Sequence, residues 1–165
     1  MIRGPIHLLG RDINTDLISS AKYFSGGGTR EERLKYTLYD YDPEFGVNYK
    51  KGTILVADSN FGCGSSREIG ASVFKMLGVP AIIAVSFART FYRNSINIGL
   101  PIFEVPDVTS MFSNGDIAVI DSDSGIIKNE TTGREVAVPP LPQAIQELID
   151  AGGLLPYIKK QNTTA

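Results

Sequence analysis

Two short apolar runs on either side of a helical segment constrain the fold of this chain more than any other feature. Residues 53–57 (TILVA) and 81–85 (AIIAV) are almost wholly apolar, which is typical of strands buried on both faces of a sheet. Between them, apolar residues recur at helical spacing over residues 67–77, and Gly78 ends the predicted helix. This strand, turn, helix, strand unit predicts an α/β fold.

Other apolar runs predict further strands, and the last three of these runs are separated only by short turn sequences. The runs are residues 6–9, 102–105, 117–120, 126–127 and 135–138. The three turn-separated runs predict antiparallel β strands that follow the α/β core. Additional helices are predicted over residues 29–36, 87–97 and 143–151.

The length and composition are those of one globular domain, which we expect to cover residues 1–165. Of the 165 residues, 42% are hydrophobic and 21% are charged, as in ordinary soluble domains with one core. Residues 25–51 are the least regular part of the chain, and we expect them to form a mobile loop region. The polar tail, residues 159–165, is expected to fray.

Charge, apolar patterning and cysteine count exclude several classes of partner and site. The net charge of −2 does not indicate a basic surface that would attract nucleic acid or an anionic membrane. The apolar stretches are too short for a signal peptide or a membrane span of ~20 residues, so we expect a cytoplasmic protein. The single cysteine, Cys63, and the single histidine, His7, exclude a metal cluster held by this chain alone. We therefore expect no metal site here, and any metal chemistry would require another chain.

A glycine-rich loop lies between the first buried strand and the helix, in residues 60–68 (NFGCGSSRE). Its backbone N–H groups are expected to converge at the positive end of the helix dipole and to form an anion pocket. Gly64 lets the backbone approach a ligand, Ser65 and Ser66 offer hydroxyl groups, and Arg67 can bind a carboxylate with two hydrogen bonds. These groups suit a small polycarboxylic acid.

The same residues are also explained by helix capping. Ser65 followed three residues later by Glu68 is a capping box, and a capping box and a ligand site can coexist. The spacing alone does not decide between the two.

Three further charged residues are candidates for supporting this pocket. Arg89 and Arg93 are four residues apart, hence on one helical face just after a strand. Without the glycine-rich loop, a solvated surface or a contact patch between subunits, including copies of this chain, would be the preferred explanation. Asp16 lies in a segment whose Asx and Thr residues would suit a turn, but its carboxylate could instead orient an arginine of the pocket.

Five segments, in their order and spacing, resemble the small subunits of isopropylmalate isomerase and homoaconitase. They are residues 12–16 (DINTD), 60–68 (NFGCGSSRE), 86–89 (SFAR), 92–94 (YRN) and 97–101 (NIGLP). Residues 151–159 are similar to the end of the short form of that family. The resemblance implies a swivelling β/β/α domain that pairs with a separate large subunit, which carries a [4Fe–4S] cluster.

The resemblance also implies roles for the glycine-rich loop. Ser65 would be the catalytic base, Arg67 would bind a substrate carboxylate, and Ser66 and Gly64 would assist binding. A helix N-terminus and Arg67 would favour the Ser65 alkoxide, which would remove the proton next to a substrate carboxylate. Iron of the partner's cluster would accept the departing hydroxyl group as a Lewis acid. Ile69 departs from the family pattern, which puts a supporting role at that position in doubt.

In the resembled family, substrate choice depends on the loop after a tyrosine, here Tyr23. The following residues, Phe24, Ser25 and Gly26, include no arginine that would pair with a third substrate carboxylate, which favours isopropylmalate. Arg30 follows three glycines and could supply that charge, so homoaconitate, citrate and methylmalate-type substrates stay open. A noncatalytic, anion-binding regulatory domain is the alternative of another class.

Overall fold

A seven-stranded mixed sheet organises the chain in the computed structural model, which describes residues 1–64 and 69–163. The strands are β1 (Ile2–Leu8), β2 (Ile54–Ala57), β3 (Ile82–Ala84), β4 (Ile102–Glu104), β5 (Ile117–Asp121), β6 (Ile126–Asn129) and β7 (Glu135–Ala137). The bounds of each strand agree within two residues with those of a predicted apolar run, with one exception. Strand β1 begins at Ile2, four residues before the predicted start at residue 6.

The strand order is β4-β3-β2-β1-β5-β6-β7, with two kinds of pairing. Strands β1 to β4 pair in parallel, with Val56 opposite Ile83 and Leu55 opposite Ile82 in the central pair. Strands β5 to β7 form an antiparallel meander on the other side of β1. The predicted α/β fold with additional antiparallel strands is therefore confirmed.

Helices connect the strands and follow the last one. They are α1 (Thr15–Ile18), α2 (Ala21–Phe24), α3 (Arg30–Leu34), α4 (Phe45–Asn48), α5 (Ile69–Leu77), α6 (Arg89–Asn97), α7 (Gln143–Asp150) and α8 (Leu154–Thr163), with a 3-10 turn at Val108–Ser110. Helices α3, α5, α6 and α7 were predicted. Residues 67 and 68 of the predicted α5 lie outside the described residues.

Both faces of the parallel strands are covered by apolar side chains. Leu55 and Ala57 of β2 pack with residues of α5 and α6 in what we call the helix-side core. Ile54 and Val56 alternate to the opposite face, where they pack with residues of β3 to β6 in the strand-side core. Because strands from both ends of the sheet share the strand-side core, the sheet curls onto itself.

The irregular segment of residues 25–51 is anchored to the helix-side core. Leu38 and Phe45 are buried there, and the N–H group of Leu38 donates to the carbonyl oxygen of Ile18 at 3.2 Å. A capping box at Thr29 begins α3, since the Thr29 hydroxyl and the Glu32 carboxylate each accept the other residue's N–H group. The mobility of this segment stays a prediction.

The end of the chain is more regular than its polar composition indicates. Helix α8 continues to Thr163, although we expected a frayed tail from residue 159. Pro156 in the first turn suits a helix start, and the Tyr157 hydroxyl donates to the Glu147 carboxylate of α7 at 3.1 Å. Residues 164 and 165 lie outside the described part of the chain. None of the helices in the described ranges has the length and apolar character needed to cross a membrane.

Candidate active site

The loops that follow β1, β2 and β3 meet at one edge of the sheet. Parallel strands end at a common edge, which is where α/β sheets gather their ligands. Two isolated β-bridges join these loops, one between Asn14 and Cys63 and one between Phe61 and Phe87. Three of the segments that carry the family resemblance are thus brought together.

The loop after β1 runs alongside the loop after β2. The N–H group of Gly62 donates to the carbonyl oxygen of Ile13 at 2.7 Å, and that of Thr15 donates to Cys63 at 2.8 Å. The Asn14 side chain accepts from the N–H group of Leu17 and so caps α1. The course of the glycine-rich loop is therefore fixed on this side by backbone hydrogen bonds.

The loop after β3 holds the glycine-rich loop from the other side. The N–H group of Phe61 donates to the carbonyl oxygen of Ser86 at 3.0 Å, and that of Ala88 donates to Phe61 at 2.9 Å. Glu104, at the end of β4, accepts from the N–H group of Phe87 at 3.0 Å. Four consecutive parallel strands therefore contribute to this edge.

An aromatic cluster lies beneath the loop. Phe61 is fully buried, and its ring centroid is 5.9 Å from that of Phe74 and 5.2 Å from that of Phe91. Gly62 passes so close to Phe91 that a Cβ atom on Gly62 would lie 2.1 Å from Phe91 Cγ. With φ at 77°, Gly62 also has a backbone conformation that favours glycine.

The predicted catalytic and substrate-binding residues Ser65, Ser66 and Arg67 lie outside the described residues. The chain is described as far as Gly64, which is exposed with φ at 93°, and again from Ile69, whose side chain is 38% exposed. Helix α5 packs against α1 here, since a Cβ atom on Gly70 would lie 3.2 Å from Thr15 Cγ2. The structure therefore places Gly64 and Ile69, the described residues nearest to the predicted catalytic segment on either side.

The predicted supporting residues are exposed around this edge. Arg89 is the first residue of α6, directly after Ala88, and Arg93 lies one turn further on. Asp16 is exposed in the first turn of α1. Within residues 1–64 and 69–163, no ion pair joins Asp16 to either arginine. Arg67 of the predicted pocket lies outside the described residues, so the role of the Asp16 carboxylate in orienting an arginine there stays a prediction.

The predicted specificity loop is partly helical: Tyr23 and Phe24 are the last residues of α2, and Arg30 is the first residue of α3. The Tyr23 ring stacks on Tyr36 with centroids 4.8 Å apart, and its hydroxyl donates to Asp40 at 3.2 Å. Phe24 packs partly buried against the helix-side core, whereas Ser25 and Gly26 are exposed.

Arg30 is held against α5. Its Nε–H group donates to the sulfur of Met76 at 2.7 Å. Met76 lies seven residues after Ile69, roughly 10 Å further along the helix axis. In this conformation the Arg30 guanidinium lies towards the end of α5 that is distant from Gly64.

Several residues at this edge were missed as site residues by the sequence reasoning. The Asn60 amide donates to the Asp12 carboxylate at 2.8 Å, and both residues have positive φ angles. Burial raises the pKa of the Tyr92 phenol, and the negative charge of Glu104 raises it further. An acidic residue at the end of an apolar strand was the available signal for Glu104, whereas nothing local indicated the Asn60–Asp12 contact.

The chain does not provide the ligands of an iron–sulfur cluster. Cys63 is its one cysteine, and no group of three metal-binding side chains occurs in the part of the chain that is described. Such a cluster takes several thiolates.

Comparisons with known proteins agree with this architecture. A family model described as the aconitase C-terminal domain matches residues 15–107. The 3-isopropylmalate dehydratase small subunit of Moorella thermoacetica is 46% identical over 165 residues, 100% of this chain and 99% of that protein. This chain belongs to the family of 3-isopropylmalate dehydratase small subunits.

Further members of the 3-isopropylmalate dehydratase family match over nearly their full length. The small subunit from Heliobacterium modesticaldum is 47% identical over 156 residues, 94% of this chain and 93% of that protein. The crystal structure of 3-isopropylmalate dehydratase from Methanocaldococcus jannaschii superposes with a TM-score of 0.89 at 36% identity and covers 99% of this chain and 96% of that one. The chain is thus a small subunit of a hydro-lyase type of enzyme.

Proposed function

We propose that this chain is the small subunit of an enzyme that interconverts 2-isopropylmalate and 3-isopropylmalate through isopropylmaleate, a reaction of leucine biosynthesis. The observation that carries the proposal is its full-length similarity to small subunits that bear this enzyme's name. The chain acts with a large subunit, as the name of its relatives implies, and we expect the pair to work in the cytoplasm. Association between copies of this chain stays a prediction.

Ser65 acts as the base in this proposal. It follows Gly64 directly and precedes α5 by only a few residues, where backbone N–H groups and the helix dipole favour an anion. The base removes the proton from the carbon next to a substrate carboxylate, and the hydroxyl group leaves from the neighbouring carbon. Addition of water in the opposite sense, with the proton returned by Ser65, yields the isomer.

The carboxylates of the substrate require positive charge, which the net charge of the chain does not supply. Arg67 binds one carboxylate, with Ser66 and the backbone at Gly64 as further donors. Arg89 and Arg93 are exposed on one face of α6 beside the glycine-rich loop and add positive potential at the same edge. Asp16, on α1, is the acidic member of this group.

The surroundings of the specificity loop support a substrate with two carboxylates. Ser25 and Gly26 carry no charge, and Arg30 is engaged by Met76 on the far part of α5. A third carboxylate that faced this loop would therefore be desolvated without a cationic partner from the loop, which is costly. Isopropylmalate, whose third substituent is apolar, avoids this cost.

The [4Fe–4S] cluster belongs to the large subunit in this proposal, since one cysteine cannot hold it. Bound there, the cluster supplies a Lewis acid for the hydroxyl group that leaves or enters. This chain contributes the base and carboxylate-binding groups.

A reconstitution assay tests the proposed substrate. The chain is combined with a large subunit and iron, and hydration of isopropylmaleate, homoaconitate, aconitate and citraconate is compared. We expect isopropylmaleate to give the highest kcat/KM. Preference for homoaconitate, aconitate or citraconate would assign the chain to a different hydro-lyase, and failure to hydrate any of them with every large subunit would favour a noncatalytic anion-binding domain.

The proposed base is tested by Ser65→Ala, with Ser124→Ala as the matched control. Ser124 is exposed in the turn between β5 and β6, at the edge of the sheet where β1 begins and opposite the edge of the site. We expect Ser65→Ala to abolish turnover while the fold and pairing with the large subunit stay intact. Near-normal turnover by Ser65→Ala would show that another group is the base.

A further inference from the structure

Two residues in left-handed backbone conformations face each other where the first two site loops leave the sheet. The φ angle is 54° at Asp12 and 63° at Asn60. Residues other than glycine are uncommon in this region, because Cβ approaches the backbone carbonyl, and Asp and Asn tolerate it best. Strained conformations of this kind cluster at functional sites and persist where the surroundings impose them.

A side-chain hydrogen bond joins the two residues, and further contacts hold each of them. Asn60 Nδ2 donates to Asp12 Oδ1 at 2.8 Å, and Arg11 Nε lies 3.2 Å from Asp12 Oδ2. The N–H group of Asp12 donates to the carbonyl oxygen of Ser59 at 3.0 Å, and that of Asn60 donates to Ser86 Oγ at 2.9 Å. We call the Asp12–Asn60 hydrogen bond the latch. Through its contact with Ser86, Asn60 is also joined to the loop after β3.

The path of the glycine-rich loop is set immediately beyond the latch. Gly62, two residues after Asn60, donates its N–H group to the carbonyl oxygen of Ile13, the residue after Asp12. Gly62 also packs closely against the ring of Phe91. Cys63 accepts from Thr15. A change in the relative position of the two left-handed residues would therefore shift the segment that leads into Ser65.

We propose that Asp12 and Asn60 are positioning residues, whose latch orients the glycine-rich loop for proton transfer by Ser65. The inference rests on the proposed function, because Ser65 performs that transfer. The Asp12 side chain is 54% exposed, and Asn60 is exposed as well, so their hydrogen bond competes with water and adds little to folding. A role in aligning the glycine-rich loop therefore explains these two strained residues and their exposed hydrogen bond better than a role in the stability of the fold does.

Glycine substitution separates alignment from stability. Asn60→Gly and Asp12→Gly delete the latch but relieve the left-handed conformation, so neither should lower the temperature of unfolding. In the enzyme reconstituted with its large subunit, we expect kcat to fall about tenfold while KM changes less than about twofold, because reacting groups are misaligned rather than lost.

Two further variants sharpen this test. Asp12→Asn keeps an oxygen acceptor for Asn60 and should recover most of the lost kcat. The double glycine variant should be no slower than either single variant, because both remove the same bond. The control is Asp107→Gly, which relieves an equivalent φ of 55° next to Val108 of the strand-side core and should leave kcat unchanged.

A second readout does not depend on activity. Cys63, the only cysteine, is partly exposed in the loop, so its alkylation rate in the full chain reports loop position. We expect the rate in Asn60→Gly to change about threefold or more as the loop opens or shifts, and to stay constant in Asp107→Gly. An unchanged alkylation rate in Asn60→Gly overturns the latch even if every preparation is inactive. An unchanged kcat, or a kcat loss that merely follows a loss of stability, overturns it as well.

The two proposals fail in different ways. If the Ser65→Ala enzyme is as active as wild type, the proposed base is wrong. The effect of Asn60→Gly on the Cys63 alkylation rate tests the latch alone. Activity that depends on Ser65 but is equal in wild type and Asn60→Gly refutes the latch and leaves the proposed function standing.

Discussion

Gly62→Ala should destabilise the chain through a single steric contact. A Cβ atom at this position would lie 2.1 Å from Phe91 Cγ, 2.4 Å from its Cβ and 2.5 Å from its Cδ2. Phe91 cannot withdraw, because it is 2% exposed and packs against Phe61. The left-handed backbone at φ of 77° adds a second cost.

The magnitude follows from these two contributions. An l-residue in the left-handed region costs roughly 1–2 kcal/mol, and overpacking a filled core costs roughly 1–3 kcal/mol more. We therefore expect Gly62→Ala to lower the free energy of unfolding by about 2–5 kcal/mol, measured by urea denaturation followed by circular dichroism. The activity reconstituted with the large subunit should fall as well, because the steric contact displaces the backbone of the glycine-rich loop.

Gly115→Ala is the matched control for the backbone contribution. Its φ is 88°, and a Cβ atom there would have no neighbour within 4 Å. This variant should lose only about 1–2 kcal/mol. Gly62→Ala should cost less in a Phe91→Ala background than in the wild-type chain, because the ring that it contacts is then absent. Equal losses in Gly62→Ala and Gly115→Ala would refute the steric argument.

Three other predictions concern single polar groups. Tyr49→Phe should cost about 1 kcal/mol in urea denaturation, because the partly buried phenol donates to the carbonyl oxygen of Thr53 at 2.6 Å; no loss would contradict this. Burial lowers the pKa of His7, against the opposing effect of Asp42. As the pH falls, His7 is therefore protonated at a higher pH in the unfolded chain than in the folded chain. Stability should therefore decline as the pH falls from about 6.5 towards the lower pKa of the folded chain, and His7→Asn should flatten that part of the profile. Lys75→Met should cost about 1–3 kcal/mol in thermal or urea unfolding, because two helix-end carbonyl groups lose the ammonium that binds them, whereas an unchanged midpoint would show that water replaces it.

The regular elements with strong local signals were predictable from the sequence. Strands β2 and β3 are apolar runs bounded by polar or turn residues, and α5 and α6 have helical periodicity that ends at Gly78 and Gly99. Such patterns reflect burial against a core, which is why the predicted bounds agree within two residues.

The short elements were not predictable in the same way. Helices α1, α2 and α4 have four residues each, which is too short for a periodic pattern. Helix α8 was missed because its exposed leucines and polar end give no amphipathic stripe, and its contact with α7 through Tyr157 is tertiary.

The meeting of the three loops at one edge of the sheet was predictable, but the contacts that hold them were not. Strand ends and the glycine-rich sequence indicated the edge where Phe61 and Ala88 meet, and the resemblance supplied the proposed role of Ser65. The left-handed conformations at Asp12 and Asn60 depend on contacts between residues 48 positions apart, which no local pattern encodes.

The division of the active site between two subunits is tested most directly by measuring iron content and isopropylmaleate hydration for the purified chain, the large subunit and their mixture. We expect no iron–sulfur absorbance and no activity in the chain alone, a cluster without turnover in the large subunit alone, and turnover in the mixture that Ser65→Ala abolishes. An iron–sulfur absorbance band or hydration activity from this chain alone would contradict it.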